Sequence, residues 1–352
     1  VGHNGGFALL PGLPLSRSSL ETTLPLSPGH APTASTLGFP VPGIRGVGLL
    51  LLAYGLVWVL LYALTTLSPP VDNVEQLVWL HSLEWGYFKH PPLPTWVLGA
   101  ASGLLPATPG LTYALGALFT LGSLALMWQL LCHLRGQAYA APALLAALCI
   151  TLYCGRLYYF NHNVVLMWWV ACAAWLSWHL AQRPSIGAWA LLGLVSGLGM
   201  LTKYQFVIAM AAVGLWWLRL RGWQHPVYRW GPVVAGAVSA LVFAPHLNWL
   251  ATHGWMPMAY ANASSLGQDL NFFPSLRHSL QFAVDWLLNR TLPAWLVLAG
   301  VWWWLRRGRA AGVRATSAPS PLARDFLWIW GLLPLAFMVA MGVVGGVKLH
   351  LH

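Results

Sequence analysis

Two carboxylates three residues apart follow the first long apolar run of this sequence. Asp72 and Glu75 lie in the stretch PPVDNVEQLVW, where two prolines end the preceding helix and Asp72 is placed to cap a new one. On that helix Asp72, Glu75, Gln76 and Trp79 would share one face. A carboxylate there could remove a proton from a substrate. Composition alone leaves a simpler alternative open, in which Asp72 only caps the helix and Glu75 is solvated.

Basic side chains near these carboxylates could stabilise negative charge on a substrate. Lys89 and His90 lie among aromatic residues and prolines in WGYFKHPPLPTW (85–96), and Lys203 ends the stretch GLGMLTK. A charged side chain at membrane depth is costly and usually functional. The alternative for Lys203 is a lysine at a helix end that extends its amine to the membrane surface.

The elements that must position these residues are apolar helices. Hydrophobic residues make up 58% of the 352 residues, mean hydropathy is +0.64, and apolar runs of about 15–22 residues recur. This composition predicts an all-α polytopic membrane protein. The net charge of +11 would suggest a nucleic-acid partner in a soluble protein, but here membrane topology explains it more simply. The four cysteines show no paired spacing that would predict a disulfide or a metal site.

The apolar runs predict about nine transmembrane helices and a flexible tail. Residues 1–45 are rich in Pro, Gly, Ser and Thr and predict the tail, whereas 46–352 predict the transmembrane domain. The run 93–105 is short for a span and predicts a juxtamembrane helix. The predicted spans lie near 46–67, 111–132, 139–154, 163–181, 186–201, 204–218, 231–249, 291–305 and 326–346.

The distribution of charges predicts the orientation of these helices. With Arg45 inside, 12 of the 18 Lys and Arg residues fall on the cytoplasmic side and 6 on the outer side. Five of the seven carboxylates then lie in two long outer loops, 68–110 and 250–290. We therefore expect a cytoplasmic N-terminus and an active site on the outer face.

Several motifs resemble those of one family of membrane enzymes. The pattern DxxE…WGYFKHPPLPTW after a first membrane helix resembles the bacterial family 39-type glycosyltransferases. These belong to the GT-C fold class and are akin to protein O-mannosyltransferases and the lipid A aminoarabinose transferase. The stretches NHNVVLMWW (161–169), GLGMLTKYQ (197–205) and PHLNWLATHGW (245–255) support the resemblance over residues 46–255.

The resemblance implies an activity and roles for individual residues. Such enzymes move a sugar, with inversion, from a polyprenyl phosphate to a lipid, glycan or protein acceptor at the outer face of the bacterial cytoplasmic membrane. Asp72 would be the catalytic base, with Glu75 next in line. Cations would stabilise the charge that develops on the leaving phosphate. The expected substrate-binding residues are Lys89, His90, Asn163, Lys203, Tyr204 and His246.

The resemblance leaves the need for a metal open. Relatives can hold a divalent cation near the donor phosphate, and Glu75 with His246 could do so here, although a neutral, hydrogen-bonding histidine is commoner. Asn161 and Asn163 stand where some relatives carry an acidic residue, so a second acid is not expected there. The chain stops just after a span, GGVKLHLH, from which we expect that it is C-terminally incomplete.

The main alternative function is a transporter or flippase of a lipid-linked sugar. It would predict charges buried in the middle of helices and inverted repeats with broken helices. Here the charges lie almost solely at the ends of the predicted spans, and no repeat is evident. A polymerase or ligase of lipid-linked glycans would favour an arginine-rich second outer loop, which here holds Arg277 and Arg290 only.

Overall fold

A computed structural model describes residues 43–150, 155–266, 272–308 and 319–344. All regular secondary structure in these residues is helical, as the composition predicted. Most of the predicted tail (1–42), the carboxylate Asp269 and the end of the chain from residue 345 lie outside the described residues.

Thirteen α-helices follow one another in the described part of the chain. They are α1 (Ile44–Thr65), α2 (Val71–Trp79), α3 (Leu93–Ser102), α4 (Pro109–Arg135), α5 (Gln137–Leu148), α6 (His162–Gln182), α7 (Ile186–Thr202), α8 (Val207–Arg219), α9 (Pro226–Thr252), α10 (Met256–Ala261), α11 (Phe272–Val284), α12 (Leu292–Gly308) and α13 (Pro321–Val344). A single 3₁₀ turn, Tyr204–Phe206, joins α7 to α8.

Each of the nine predicted spans corresponds to a helix. The helices α1, α4, α6, α9 and α13 are long and apolar enough to cross a membrane, and α5, α7 and α12 are shorter apolar helices. The chain is therefore an integral membrane protein, while the number of crossings stays a prediction. The short helix α3, with 10 residues, confirms that the run 93–105 is too short for a span.

Glycines allow α7 to pack closely along α9. A Cβ atom on Gly193 would clash with the backbone of Ala235, and one on Gly197 would lie 2.6 Å from Cβ of Val242. Small residues at a contact between membrane helices commonly allow such a close approach. Gly199 has a different neighbour, because its missing side chain makes room for the ring of Phe206. The chain after Lys203 thus folds back onto α7.

The two ends of the helix bundle hold different sets of charged residues. At one end an ion pair joins Arg219, the last residue of α8, to Asp325 at the start of α13, with 2.6 Å between Nη2 and Oδ2. At the end where α6 and α8 begin lie α2, α3 and the turn after Lys203. The residues that the sequence analysis selected for chemistry lie at this second end.

Candidate active site

A buried asparagine fixes α2, the helix that carries both carboxylates. Asn73 is fully buried, and its Nδ2 donates hydrogen bonds to Oγ1 of Thr112 (2.8 Å) and to the carbonyl oxygen of Tyr158 (2.9 Å). Its Oδ1 accepts one from the amide of Phe160 at 3.0 Å. All three bonds link α2 to distant parts of the chain, so Asn73 sets the place of the neighbouring Asp72.

We expect Asn73→Leu to destabilise the fold. The change would leave the carbonyl of Tyr158 and the amide of Phe160 without their partner, at about 1–3 kcal/mol for each unsatisfied buried group. Thermal unfolding of the purified protein should then begin several degrees lower. The exposed Asn248, substituted by leucine in the same way, is the matched control. Equal unfolding temperatures for the two variants would contradict this role of Asn73.

The two faces of α2 differ partly from the predicted arrangement. Val74 and Val78 lie opposite the carboxylates and are exposed, as expected of a helix that rests its apolar face on the membrane. Gln76 was predicted to share one face with Asp72 and Glu75, but the sequence did not predict that its side chain is covered. It is buried against α3, where its Oε1 accepts a hydrogen bond from Thr95 at 2.8 Å.

Asp72 lies in the first turn of α2, but it does not cap the helix. The capping prediction was wrong because the helix begins at Val71, with Pro70 at the N-cap and no side-chain cap bond. Instead, Oδ2 of Asp72 accepts a hydrogen bond from Nδ2 of Asn161 at 2.8 Å. Oδ1 of the same Asn161 side chain accepts hydrogen bonds from the backbone N–H groups of Asn163 and Val164 at the start of α6, and these bonds orient the side-chain amide.

Lys203 lies close to this carboxylate, in extended backbone just after α7. Its Nζ donates a hydrogen bond to Oδ1 of Asn163 at 2.6 Å. The pKa of Lys203 is lowered to about 8, chiefly by burial; the charge of Asp72 opposes this lowering and the charge of Lys89 adds to it. Asn161 and Asn163 therefore hold an acid and a cation side by side at the start of α6.

Glu75 and Lys89 form an ion pair beside them. Nζ of Lys89 lies 3.1 and 3.3 Å from the two carboxylate oxygens. Burial raises the pKa of Glu75, and the charge of Asp72 adds to this, although Lys89 opposes it. Burial alone would lower the pKa of Lys89, but the hydrogen bond and charge of Glu75 outweigh it and the pKa is raised. Lys89 therefore stays charged but shares its charge with Glu75.

His90 contributes an uncharged imidazole to the site. Its ring lies 4.1 Å from that of His162 between centroids. Burial lowers the pKa of His90 to about 3, and the charges of Lys203 and Lys89 act in the same direction. At neutral pH His90 can therefore offer a hydrogen bond but no charge.

His246 and Tyr204 bind each other rather than facing outward. His246 is 0% exposed, and its Nε2 lies 2.8 Å from the hydroxyl of Tyr204. Its Nδ1 lies 2.6 Å from the carbonyl oxygen of Trp85. The carbonyl can only accept, so Nδ1 carries the hydrogen and Nε2 accepts from Tyr204. The predicted contact of His246 with the substrate has no exposed surface to support it in this structure.

The two expected cation ligands do not fit a shared metal site. Both oxygens of Glu75 face Lys89, and both ring nitrogens of His246 are hydrogen-bonded. Within the described ranges no three His, Cys, Asp or Glu side chains come together. A divalent cation at this site thus stays a prediction.

Comparisons with known proteins support the family resemblance. A family model described as dolichyl-phosphate-mannose-protein mannosyltransferase matches residues 89–249. The match includes Lys89, His90 and Lys203 but begins after Asp72 and Glu75.

Relatives of known activity cover a larger part of the chain. A lipid A galacturonosyltransferase of Rhizobium johnstonii is 28% identical over 60% of this chain and 44% of its own length. A lipopolysaccharide core galacturonosyltransferase of the same organism is 25% identical over 63% of this chain and 44% of its own. An undecaprenyl phosphate-alpha-4-amino-4-deoxy-L-arabinose arabinosyl transferase of Erwinia tasmaniensis is 27% identical over 73% of this chain and 46% of its own. The chain spans about half the length of these relatives.

A solved structure shares the fold. The crystal structure of ArnT from Cupriavidus metallidurans bound to undecaprenyl phosphate matches with a TM-score of 0.58 at 16% sequence identity. The match covers 86% of this chain and 60% of that one. The predicted fold class is thereby confirmed.

Proposed function

From the premise that this chain has the GT-C-type fold and resembles the family 39-type membrane glycosyltransferases, we propose that it transfers a sugar from a polyprenyl-phosphate donor. The acceptor is an envelope lipid, glycan or protein, and transfer proceeds with inversion at the anomeric carbon. The observation that carries this proposal is the pairing of Asp72 with Lys203 through Asn161 and Asn163 at the start of α6.

This pairing matches the two demands of the reaction. The acceptor hydroxyl must lose a proton, and the departing polyprenyl phosphate must be stabilised as its charge grows. Among the described residues Asp72 has a hydrogen bond to Oδ2 alone, so Oδ1 is left to take the proton. Lys203 has a neutral partner, Asn163, and its charge remains for an anion. Lys89 would help once the phosphate competes with Glu75 for its amine.

Inversion requires the acceptor oxygen to approach the anomeric carbon from the side opposite the departing phosphate. The acceptor oxygen, deprotonated by Asp72, attacks the anomeric carbon while the bond from that carbon to the phosphate oxygen breaks. The electron pair of that bond leaves with the phosphate, near Lys203. The protein needs to position these groups and stabilise the charge, and it does not need to form a covalent intermediate.

The donor and acceptor classes can be tested directly. Mass spectrometry of lipid A, core and polyprenyl-linked glycans from a strain that lacks the gene should show one glycoform missing and its unmodified acceptor enriched. Purified protein should restore the missing sugar from the matching undecaprenyl-phosphate donor. An unchanged set of envelope glycans, together with no transfer from any such donor, would refute the proposal.

We further propose that the chain lies in the bacterial cytoplasmic membrane, with its N-terminus inside and the site on the outer face. The described basic residues at the predicted cytoplasmic ends of helices support this orientation, and none of them lies near Asp72 in the chain. They are Arg45, Arg135, Arg183, Arg219, Arg221, Arg229, Arg306, Arg307 and Arg324.

Thiol labelling should verify the orientation. In a variant without the native cysteines, we expect Ser82→Cys and Ala263→Cys to react with a membrane-impermeant reagent in intact cells, once the outer membrane is permeabilised. Both positions are exposed, whereas Ser275 in the same predicted loop is only 1% exposed and unsuitable. Gln224→Cys, exposed near Arg219, should react only after lysis. The reverse pattern would invert the topology.

A further inference from the structure

One buried histidine joins two segments that are far apart in the sequence. His246, on α9, donates from Nδ1 to the carbonyl of Trp85 and accepts at Nε2 from the hydroxyl of Tyr204. The first bond holds the loop between α2 and α3, and the second holds the turn between α7 and α8. A neutral imidazole has one donor and one acceptor, so both bonds need the same tautomer.

Each of these segments carries one of the site's two lysines. Trp85 precedes Lys89 by four residues, and Tyr204 directly follows Lys203. The loop also packs against α9 beside the histidine, because a Cβ atom on Gly86 would lie 2.9 Å from Cε1 of His246.

The ring of His246 is itself held in place. It stacks on the indole of Trp249, with 5.9 Å between ring centroids and 11° between planes, and meets the ring of Phe243 edge-on. The side chain has no exposed surface. The ring can therefore hold the two segments at a fixed distance from each other, but it cannot contact a substrate in this structure.

We infer that His246 is a positioning residue that fixes the distance between Lys89 and Lys203, so that both amines can meet one phosphate. The link that His246 makes between the two segments, called the tie below, follows from the geometry alone. That this link serves to bind a phosphate rests on the proposed function. The two bonds can be removed one at a time, since asparagine can replace the Nδ1 donor and glutamine can replace the Nε2 acceptor.

Hydrogen exchange of the full-length protein, followed by mass spectrometry, tests the tie without any assay of transfer. His246→Asn keeps the bond to Trp85, so we expect exchange about tenfold faster around 203–206 only. His246→Gln keeps the bond to Tyr204 and should loosen 82–92 only. His246→Ala should loosen both segments, and Tyr204→Phe should reproduce His246→Asn without adding to it.

The matched control is His253→Asn. His253 lies at the end of the same helix and stacks on the same Trp249, at 4.4 Å between ring centroids, but it is exposed. We expect exchange in both segments to be unchanged in this variant. Unaltered exchange in all His246 variants, or equal loosening in the control, would overturn the tie. The conservative Asn and Gln variants and Tyr204→Phe keep the test valid if His246→Ala does not fold.

Binding of undecaprenyl phosphate separates this inference from the proposed function. We expect about tenfold weaker binding by His246→Ala, and partial recovery in the Asn and Gln variants. Faster exchange in the segments with unchanged binding of undecaprenyl phosphate would refute the inference that the tie places Lys89 and Lys203 to meet one phosphate. If the wild-type protein failed to bind undecaprenyl phosphate, the proposed function would be in error, while the exchange data would still decide whether His246 ties the segments.

Discussion

Asp72→Asn should lower sugar transfer by about 10²–10⁴-fold, the range that a general base contributes. Asparagine keeps the volume of the side chain and an oxygen that accepts from Nδ2 of Asn161, so the fold should be intact. What it loses is the ability to take the acceptor's proton. The measurement is transfer by purified variants at saturating donor, with thermal unfolding as the check on folding.

Two other carboxylates in the same segment, Glu84 and Glu75, sharpen this test. Glu84 is exposed, so Glu84→Gln should leave transfer within a small factor of wild type. Glu75 is paired with Lys89, and Glu75→Gln should lower transfer less than Asp72→Asn does. If Asp72→Asn retained near-normal turnover while Glu75→Gln lost it, Glu75 would be the base. Burial raises the pKa of Glu75, which would suit that role.

The fold followed from the sequence because the backbone N–H and C=O groups of each span must form hydrogen bonds within that span. In lipid the only solution for one segment is a helix, so apolar runs and their lengths predict both the helices and the exception at 93–105. The gathering of Asp72, Lys89 and Lys203 at one end of the bundle also followed, since helix direction alternates along the chain.

The contacts within the site did not follow from the sequence. A helical wheel places Gln76 beside Asp72, but it cannot show that α3 covers one side of the wheel and leaves the other free. Asn73 bonds residues more than 80 positions away, and no local pattern encodes that pairing. One signal was available, because a buried amide must find hydrogen-bond partners. In so apolar a chain, the neighbouring Asp72 and Asn73 therefore indicate one residue that is buried and hydrogen-bonded beside one that is free to react.

The same holds for His246, whose two hydrogen bonds the sequence did not predict. Its place in the stretch PHLNW and near a predicted outer loop suggested contact with the donor or a metal. Both ring nitrogens are instead used to join two segments of the protein. Asn161 and Asn163 illustrate another case: no second acid was expected there, and Asn163 was expected to bind the substrate. As amides the two side chains bind a carboxylate, that of Asp72, and an ammonium group, that of Lys203.

Lys203→Met should depress the chemical step more than it weakens donor binding. If Lys203 stabilises charge that grows on the leaving phosphate, its removal should cost about 10²–10³-fold in single-turnover transfer. A lysine that only extends to the membrane surface would tolerate methionine. The structure favours the first case, because Lys203 is half-buried and its Nζ is bonded to Asn163. Arg156→Met is the matched control, since Arg156 lies at the same end of the bundle but stacks on Tyr159.

The pH dependence of transfer gives a second, independent measurement on Lys203. Its pKa of about 8 means that the charged form is present below pH 8 and lost as the pH rises through that value. The wild-type rate should therefore fall on the alkaline side with a midpoint near 8. Lys89 should not contribute to this fall, because its pKa is raised above the ordinary value for lysine. Lys203→Arg should recover part of the rate and abolish the fall, since a guanidinium stays charged. Equal single-turnover rates for the wild type and Lys203→Met would remove Lys203 from the site and leave Lys89 and His90 to bind the phosphate.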